Sequence, residues 1–201
     1  MSIKSNYRDG DFFSKKSKKE GYRSRASYKL KEILKTDINI KKGQSVFDLG
    51  SYPGSWSQVA IELVGSTGKV AAIDIQEMKL QNCFFLHKSI EEIHEIDFQE
   101  ISEFVPFDLV LSDMAPNISG VRAVDQARAM DLADIALHAC ESWLGKGGDL
   151  ALKAFQGEGL DIWVAGLRQH FERVNMMKPK ASRPESREVF VVARGFVTTD
   201  G

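Results

Sequence analysis

The sequence predicts an α/β fold: one seven-stranded sheet, mostly parallel with one antiparallel strand, carrying helices on both faces. Two observations predict it. Beyond residue 44, short runs of β-branched and aromatic residues alternate with helical spacing, the pattern of strands joined by crossover helices. The last two of these runs are separated only by a short connection, which calls for a hairpin and hence for one reversed strand. The chain has 201 residues, 43% hydrophobic and 27% charged, enough to bury one sizeable core in a single domain.

The elements follow in order. Ser45–Leu49 is the first strand; Trp56, Val59, Ala60, Leu63 and Val64 then recur at helical spacing, and Gly65 suits a left-handed stop. Lys69–Asp74 is the second strand and 83–86 a short third. Ile90, Ile93, Ile96 and Ile101 make 89–104 partly helical, and Phe107–Ser112 is a buried strand ending at Asp113. Over 125–144, Met130, Ala133, Leu137, Cys140 and Leu144 share one helix face, which Gly145, Gly147 and Gly148 are expected to end. Strand 149–154, helix 161–170, strand 173–177 and strand 188–193 complete the count. This is the architecture of the Rossmann-like methyltransferases.

Charge is segregated although the total is only −1. Residues 1–45 hold 13 Lys/Arg against 5 Asp/Glu, residues 46–167 hold 7 against 19, and residues 168–201 hold 7 against 4, so basic ends flank an acidic middle. The arm 1–44 is expected to be a basic RNA-binding extension with a first helix, and 45–201 the catalytic domain, the two forming one compact unit. Within the arm, Lys15, Lys16, Lys18 and Lys19 are interleaved with Tyr7, Phe12, Phe13, Tyr22 and Tyr28, so that bases can stack while cations hold phosphates. No apolar run approaches the roughly 18 to 20 residues of a membrane span, and residues 1–19 lack a signal-peptide core, so a cytoplasmic location is expected. Cys83 and Cys140 lie far apart in apolar surroundings, where no disulfide is expected.

The strand-loop-helix unit Val46 to Trp56 carries the first specific chemical signal. Asp48 near the strand end, with Gly50 and Gly54 in the turn, lets the backbone pass close to a nucleoside at the carboxyl edge of the sheet. The glycines do not fit GxGxxG, and no GxxxxGK[ST] occurs, which argues against nicotinamide and nucleotide-triphosphate enzymes. An acidic loop suits S-adenosylmethionine, which has no phosphate and a positive sulfonium. Asp74, ending the second strand, is placed to accept hydrogen bonds from ribose hydroxyls.

Lys29, Asp113, Lys153 and Glu188 stand where sheet-edge chemistry would use them, and a lysine inside an apolar strand such as 149–154 is costly unless paired or neutral. A structural ion pair is the plainest reading of such residues. Here the sequence resembles the FtsJ (RrmJ) family of ribosomal RNA ribose 2′-O-methyltransferases over nearly its whole length. Arg23-Ser24-Arg25-Ala26-Ser27-Tyr28-Lys29-Leu30 is similar to the family's RSRA-x-x-KL segment, and Asp48-Leu49-Gly50, Pro53-Gly54 and Trp56-Ser57-Gln58 to its cofactor loop. Ser112 to Asn117 with Ser119-Gly120, Lys153 with Phe155 to Gly159, and Ser182-Arg183 with Ser186-Arg187-Glu188 resemble its remaining blocks.

The resemblance implies a Lys-Asp-Lys-Glu catalytic tetrad at Lys29, Asp113, Lys153 and Glu188. It implies S-adenosylmethionine as donor, held by Asp48, Gly50, Pro53, Gly54, Trp56, Asp74, Ser89 and Asp113, and the 2′-hydroxyl of the A-loop uridine in large-subunit rRNA, free or in an assembled 50S-type subunit, as acceptor. A monomer is expected. The chain departs from the pattern at Ser51-Tyr52 and Ser55, where relatives have smaller residues. It also has Lys88-Ser89 where an Asp would hold the adenine amino group, which leaves that contact to the Ser89 hydroxyl or a backbone carbonyl. No metal is required, and His87, His94, His138 and His170 show no ligand spacing. Lys153 is the expected proton acceptor, because a desolvated lysine near a second cation, Lys29, sheds its proton more readily. Asp113 and Glu188 favour the charged ammonium, so their part is to orient it. Methylation of tRNA ribose, or a non-catalytic role in ribosome assembly, would be compatible with the same fold.

Overall fold

The computed structural model describes residues 12–36, 38–96 and 98–197. The strands are β1 (Ser45–Leu49), β2 (Lys69–Asp74), β3 (Phe84–His87), β4 (Phe107–Ser112), β5 (Leu144–Phe155), β6 (Phe171–Met177) and β7 (Glu188–Phe196), arranged 3-2-1-4-5-7-6, and a one-turn helix, α4 (Phe98–Ile101), precedes β4. β7 lies antiparallel between β5 and β6, and the remaining pairings are parallel. The order reverses between β1 and β4, the switch point beyond whose carboxyl ends open α/β sheets bind their ligands.

Strand alternation sorts the core into two layers. Phe47, Leu49, Val110, Leu150, Leu152, Val191 and Ala193 face α5 (Arg122–Trp143) and α6 (Leu160–Leu167). Val46, Leu109, Leu111, Ala151, Phe190 and Val192 face α2 (Ala26–Thr36) and α3 (Ser55–Val64). Leu30, Ile33, Ile38 and Ile40 belong to that second layer, so the part of the arm from α2 onward is built into the same core.

The expected strand limits hold within two residues except at β5 and at the end of β7, which runs three residues further, to Phe196. The glycines at 145, 147 and 148 do not end α5. Leu144 does so by turning to extended φ/ψ, and β5 starts there. The register against β4 moves from Phe107↔Leu144 to Leu109↔Asp149, so the glycines form a bulge, for which the φ of +79° at Gly147 suits a residue without Cβ. The buried face of α5 is also shifted. Ala129, Ala133, Ala136, Ala139 and Cys140 pack inward and Met130 and Leu137 sit half-buried beside them, because small residues let the helix lie close on the sheet.

The arm's aromatics differ from expectation too. A helix, α1 (12–19), docks through Phe13, whose ring centre is 5.4 Å from that of Tyr28. Tyr28 is 6% exposed and donates to Glu20, while Tyr22 packs on it and donates to Glu62. These rings anchor the arm and are not stacking platforms; of the four aromatics within the described residues only Phe12 is exposed. Tyr7 lies outside them.

Candidate active site

β5 and β7 set the centre by register. Lys153 pairs with Phe190 and Phe155 with Glu188, so Lys153 and Glu188 join Phe190 on the sheet face beneath α2. On α2, Lys29 falls on the buried stripe with Leu30 and Ile33 and is itself 6% exposed. Its Nζ lies 2.7 Å from Glu188 Oε1 and 5.6 Å from the centre of the Phe190 ring. Asp113 follows β4 directly, and Lys153 Nζ lies 3.1 Å from its Oδ1 while donating to its main-chain oxygen at 2.6 Å. The four residues therefore form two lysine–carboxylate pairs at the carboxyl edge of the sheet. Burial alone would raise the Glu188 carboxyl. The Lys29 hydrogen bond and charge, aided by Ser182 and Lys153, outweigh it and hold Glu188 below the usual glutamate range.

Two further carboxylates stand beside this centre, in β1 and at the end of β2. Asp48 is 1% exposed and accepts from Ser57 Oγ at 2.5 Å. Burial pushes its carboxyl up to about 7; the Ser57 hydrogen bond opposes this, and the charges of Asp113 and Asp74 add to it. Asp74 accepts from the Tyr52 N–H at 2.8 Å and the Gln76 N–H at 2.7 Å, so it ties the β1–α3 loop to the chain beyond β2 and leaves one lone pair on each oxygen for a ligand. Gly50 has φ +66°, and a Cβ there would lie 2.3 Å from Met114 Cγ; the close approach sets Met114, and Asp113 before it, against the loop. Gly54 has φ +97° and is enclosed by Met78 and Arg23. Pro53 sits half-exposed on the loop. Trp56 is 2% exposed and donates to the Ala26 carbonyl at 2.9 Å, so it lies behind the loop and ties α3 to the helix that bears Lys29. The Ser89 hydroxyl caps a 3₁₀ turn by accepting from the Glu91 N–H, and Lys88 is paired with Glu100 at 2.6 Å.

Several braces were not read from the sequence. Asp125, in the first turn of α5, accepts from Ser119 N–H and Oγ, each at 2.7 Å, and from Gly120 N–H, which fixes the loop after Asp113; these bonds lower its carboxyl. Gln126 donates to the carbonyls of Phe155 and Glu158 beyond Lys153. Glu32, three residues after Lys29, accepts from the N–H groups of Lys180 and Ala181 ahead of Glu188. Their only sequence signal was a polar residue on an otherwise packed helix. Burial raises both thiols, Cys83 to about 12, so neither is a nucleophile at neutral pH. Among the described residues, no three His, Cys, Asp or Glu side chains are grouped as a metal site would require.

Residues 22–196 match the family described as FtsJ-like methyltransferase. The chain belongs to that family. It is 44% identical over 187 residues to the ribosomal RNA large subunit methyltransferase E of Nitrosospira multiformis, covering 92% of this chain and 91% of the relative. It is 47% identical over 190 residues to the protein of the same name from Pseudomonas fluorescens, covering 92% and 90%. Among solved structures, one described as a ribosomal RNA methyltransferase of Plasmodium falciparum superposes with a TM-score of 0.77 at 29% identity, over 88% of this chain and all of that one. A SAM-dependent O-methyltransferase of Thermotoga maritima shares the fold, with a TM-score of 0.57 at 14% identity over 88% of this chain and 67% of its own. This family member thus carries the Rossmann-like methyltransferase sheet that the strand pattern predicts.

Proposed function

We propose that this FtsJ-like methyltransferase transfers a methyl group from S-adenosylmethionine to a ribose 2′-hydroxyl of large-subunit rRNA, the A-loop uridine. The observation that carries the reading is the pairing of Lys29 with Glu188 and of Lys153 with Asp113 beside the buried Asp48. The names of the relatives at 44% and 47% identity support the substrate class. The donor fits the residues present: Asp48, Asp74 and Asp113 offer negative charge to a cation at the carboxyl ends of β1, β2 and β4. When bound, S-adenosylmethionine supplies an electrophilic methyl group on sulfur.

The protein's part is alignment and proton handling. Asp74 has a lone pair on each oxygen for ribose hydroxyls, and Pro53 after β1 and Ser89 after β3 lie on the loops at the same end of the sheet. Lys153, aimed by Asp113, takes the proton that the acceptor hydroxyl loses at Nζ. Lys29, held by Glu188, keeps a second positive charge at the same sheet edge that steadies developing negative charge on the hydroxyl oxygen. Holding the hydroxyl in line with the methyl group lowers the barrier alongside proton removal. The basic face of α1 and the 178–187 loop, with Lys180, Arg183 and Arg187, holds the RNA of a free rRNA or a 50S-type subunit. The protein acts as a cytoplasmic monomer.

Mass spectrometry of rRNA from cells lacking the protein tests this reading. The expected result is loss of one ribose methyl mark in the A-loop of large-subunit rRNA. An unchanged rRNA with a missing tRNA ribose mark, or no missing mark at all, would contradict it.

A further inference from the structure

Residues 21–24 are stitched to the β1–α3 loop. The Arg23 N–H donates to Gln58 Oε1 at 3.3 Å, Gln58 Nε2 donates back to the Gly21 carbonyl at 3.0 Å, and the hydroxyls of Ser24 and Ser55 lie 2.7 Å apart. The Arg23 guanidinium reaches furthest. Its Nη1 donates to the Pro53 carbonyl at 2.8 Å, and its Nη2 donates to the Lys79 carbonyl. Those carbonyls belong to two different strand-end loops, after β1 and after β2. Arg23 Cδ also lies 3.3 Å from where a Gly54 Cβ would stand, with Met78 Sδ at 2.6 Å, so the side chain closes over the turn.

We propose that Arg23 is a positioning residue for the cofactor site and not an RNA contact, its planar fork fixing the spacing between the Pro53 and Lys79 segments. The inference rests on the reading of that sheet edge as the S-adenosylmethionine site. Asp74 braces the same two loops from the sheet below, through Tyr52 and Gln76, and Arg23 braces them from the side of the arm. With one brace gone the loops keep their fold but not their spacing. A surface arginine in a basic segment would ordinarily be read as a phosphate contact. Here two of its donors are already committed to protein carbonyls, and the fork, not the charge, makes the bridge, since one ammonium does not reproduce two fixed divergent donors.

The test is Arg23→Lys, which keeps the charge and removes the fork, beside Arg23→Gln, which removes both. S-adenosylmethionine affinity is measured by calorimetry, RNA affinity by titration, and steady-state rates with each substrate varied. Both variants are expected to bind S-adenosylmethionine about tenfold more weakly, the scale of one missing charge-assisted hydrogen bond. KM for the donor should rise while kcat at saturating donor stays within about twofold of wild type, and Arg23→Lys should keep wild-type RNA affinity. Amide exchange in the free protein should quicken at Tyr52, Gly54 and 76–80 in both variants, a readout independent of turnover. Wild-type donor affinity in Arg23→Lys, or RNA affinity lost in Arg23→Gln and restored by Lys with donor affinity unmoved, would overturn the inference. Failure of the wild-type protein to bind S-adenosylmethionine would instead overturn the cofactor reading beneath it.

Discussion

Glu188, at the first position of β7, holds Lys29 of α2 at 2.7 Å across the face of the sheet, with both side chains almost wholly buried. Removing one partner leaves the other as an uncompensated buried charge, whose cost is about 3–5 kcal/mol, whereas replacing both with apolar groups is far milder. Glu188→Ala and Lys29→Ala should each lower stability on that scale. The double variant Lys29→Met/Glu188→Met should recover most of the loss and remain inactive. Chemical denaturation checks this; equal losses in single and double variants would mean that the pair is not a buried charge couple.

Asp48 makes the donor-free protein sensitive to pH. Its folded carboxyl stands near 7 against an ordinary value of 3.8, so between these values the folded state holds a proton that the unfolded chain has released. Stability from this group therefore falls as pH rises through that window and is level above it. Asp48→Asn keeps an acceptor for Ser57 and removes the titration. The variant should match wild type near pH 3.5 and gain stability progressively to about pH 7, by up to about 4 kcal/mol. It should bind S-adenosylmethionine more weakly, since a cation beside Asp48 offsets the cost of ionising it. A stability difference independent of pH would refute this.

In α1, Lys15, Lys18 and Lys19 are exposed, and Lys16 is half-buried, 3.8 Å from Glu20 and 4.9 Å from the centre of the Tyr28 ring. Changing Lys15, Lys18 and Lys19 to Gln should weaken RNA binding and reduce the slope of log affinity against log salt by roughly 0.7 to 0.9 for each phosphate that is no longer neutralised. Donor affinity should stay constant. Lys16→Gln should act chiefly on stability. An unchanged salt slope in the triple variant would assign the RNA to another face.

The strands were legible because strand periodicity and length are local signals: β1, β2 and β4 fall on the expected residues, and the reversed β7 follows from two consecutive strands, whereas the order 3-2-1-4-5-7-6 depends on long-range pairing. The glycine run at 145–148 was misleading, because the same φ > 0 capacity serves a helix stop and a strand bulge, and only the β4 partner distinguishes them. Lys153 announced itself as a charge in an apolar strand. Its pairing with Asp113 was within reach because both lie at the carboxyl ends of neighbouring strands. The braces at Arg23, Glu32, Asp125 and Gln126 were not legible. Each bonds main-chain groups of a distant loop, and backbone carbonyls and N–H groups leave no mark on a sequence. Trp56 shows the converse, since its place in a cofactor motif says nothing of its indole facing Ala26.

The central claim is that Lys153 accepts the proton of the attacking hydroxyl. Arginine keeps the charge and most of the reach at this position but stays protonated at any working pH. Single-turnover methyl transfer by Lys153→Arg and Lys153→Ala, with RNA and S-adenosylmethionine saturating and at several pH values, tests it most directly. The account predicts that Lys153→Arg is nearly as inactive as Lys153→Ala across the range while both still bind donor and RNA. Substantial transfer by Lys153→Arg would contradict it and leave Lys153 as an electrostatic or positioning group.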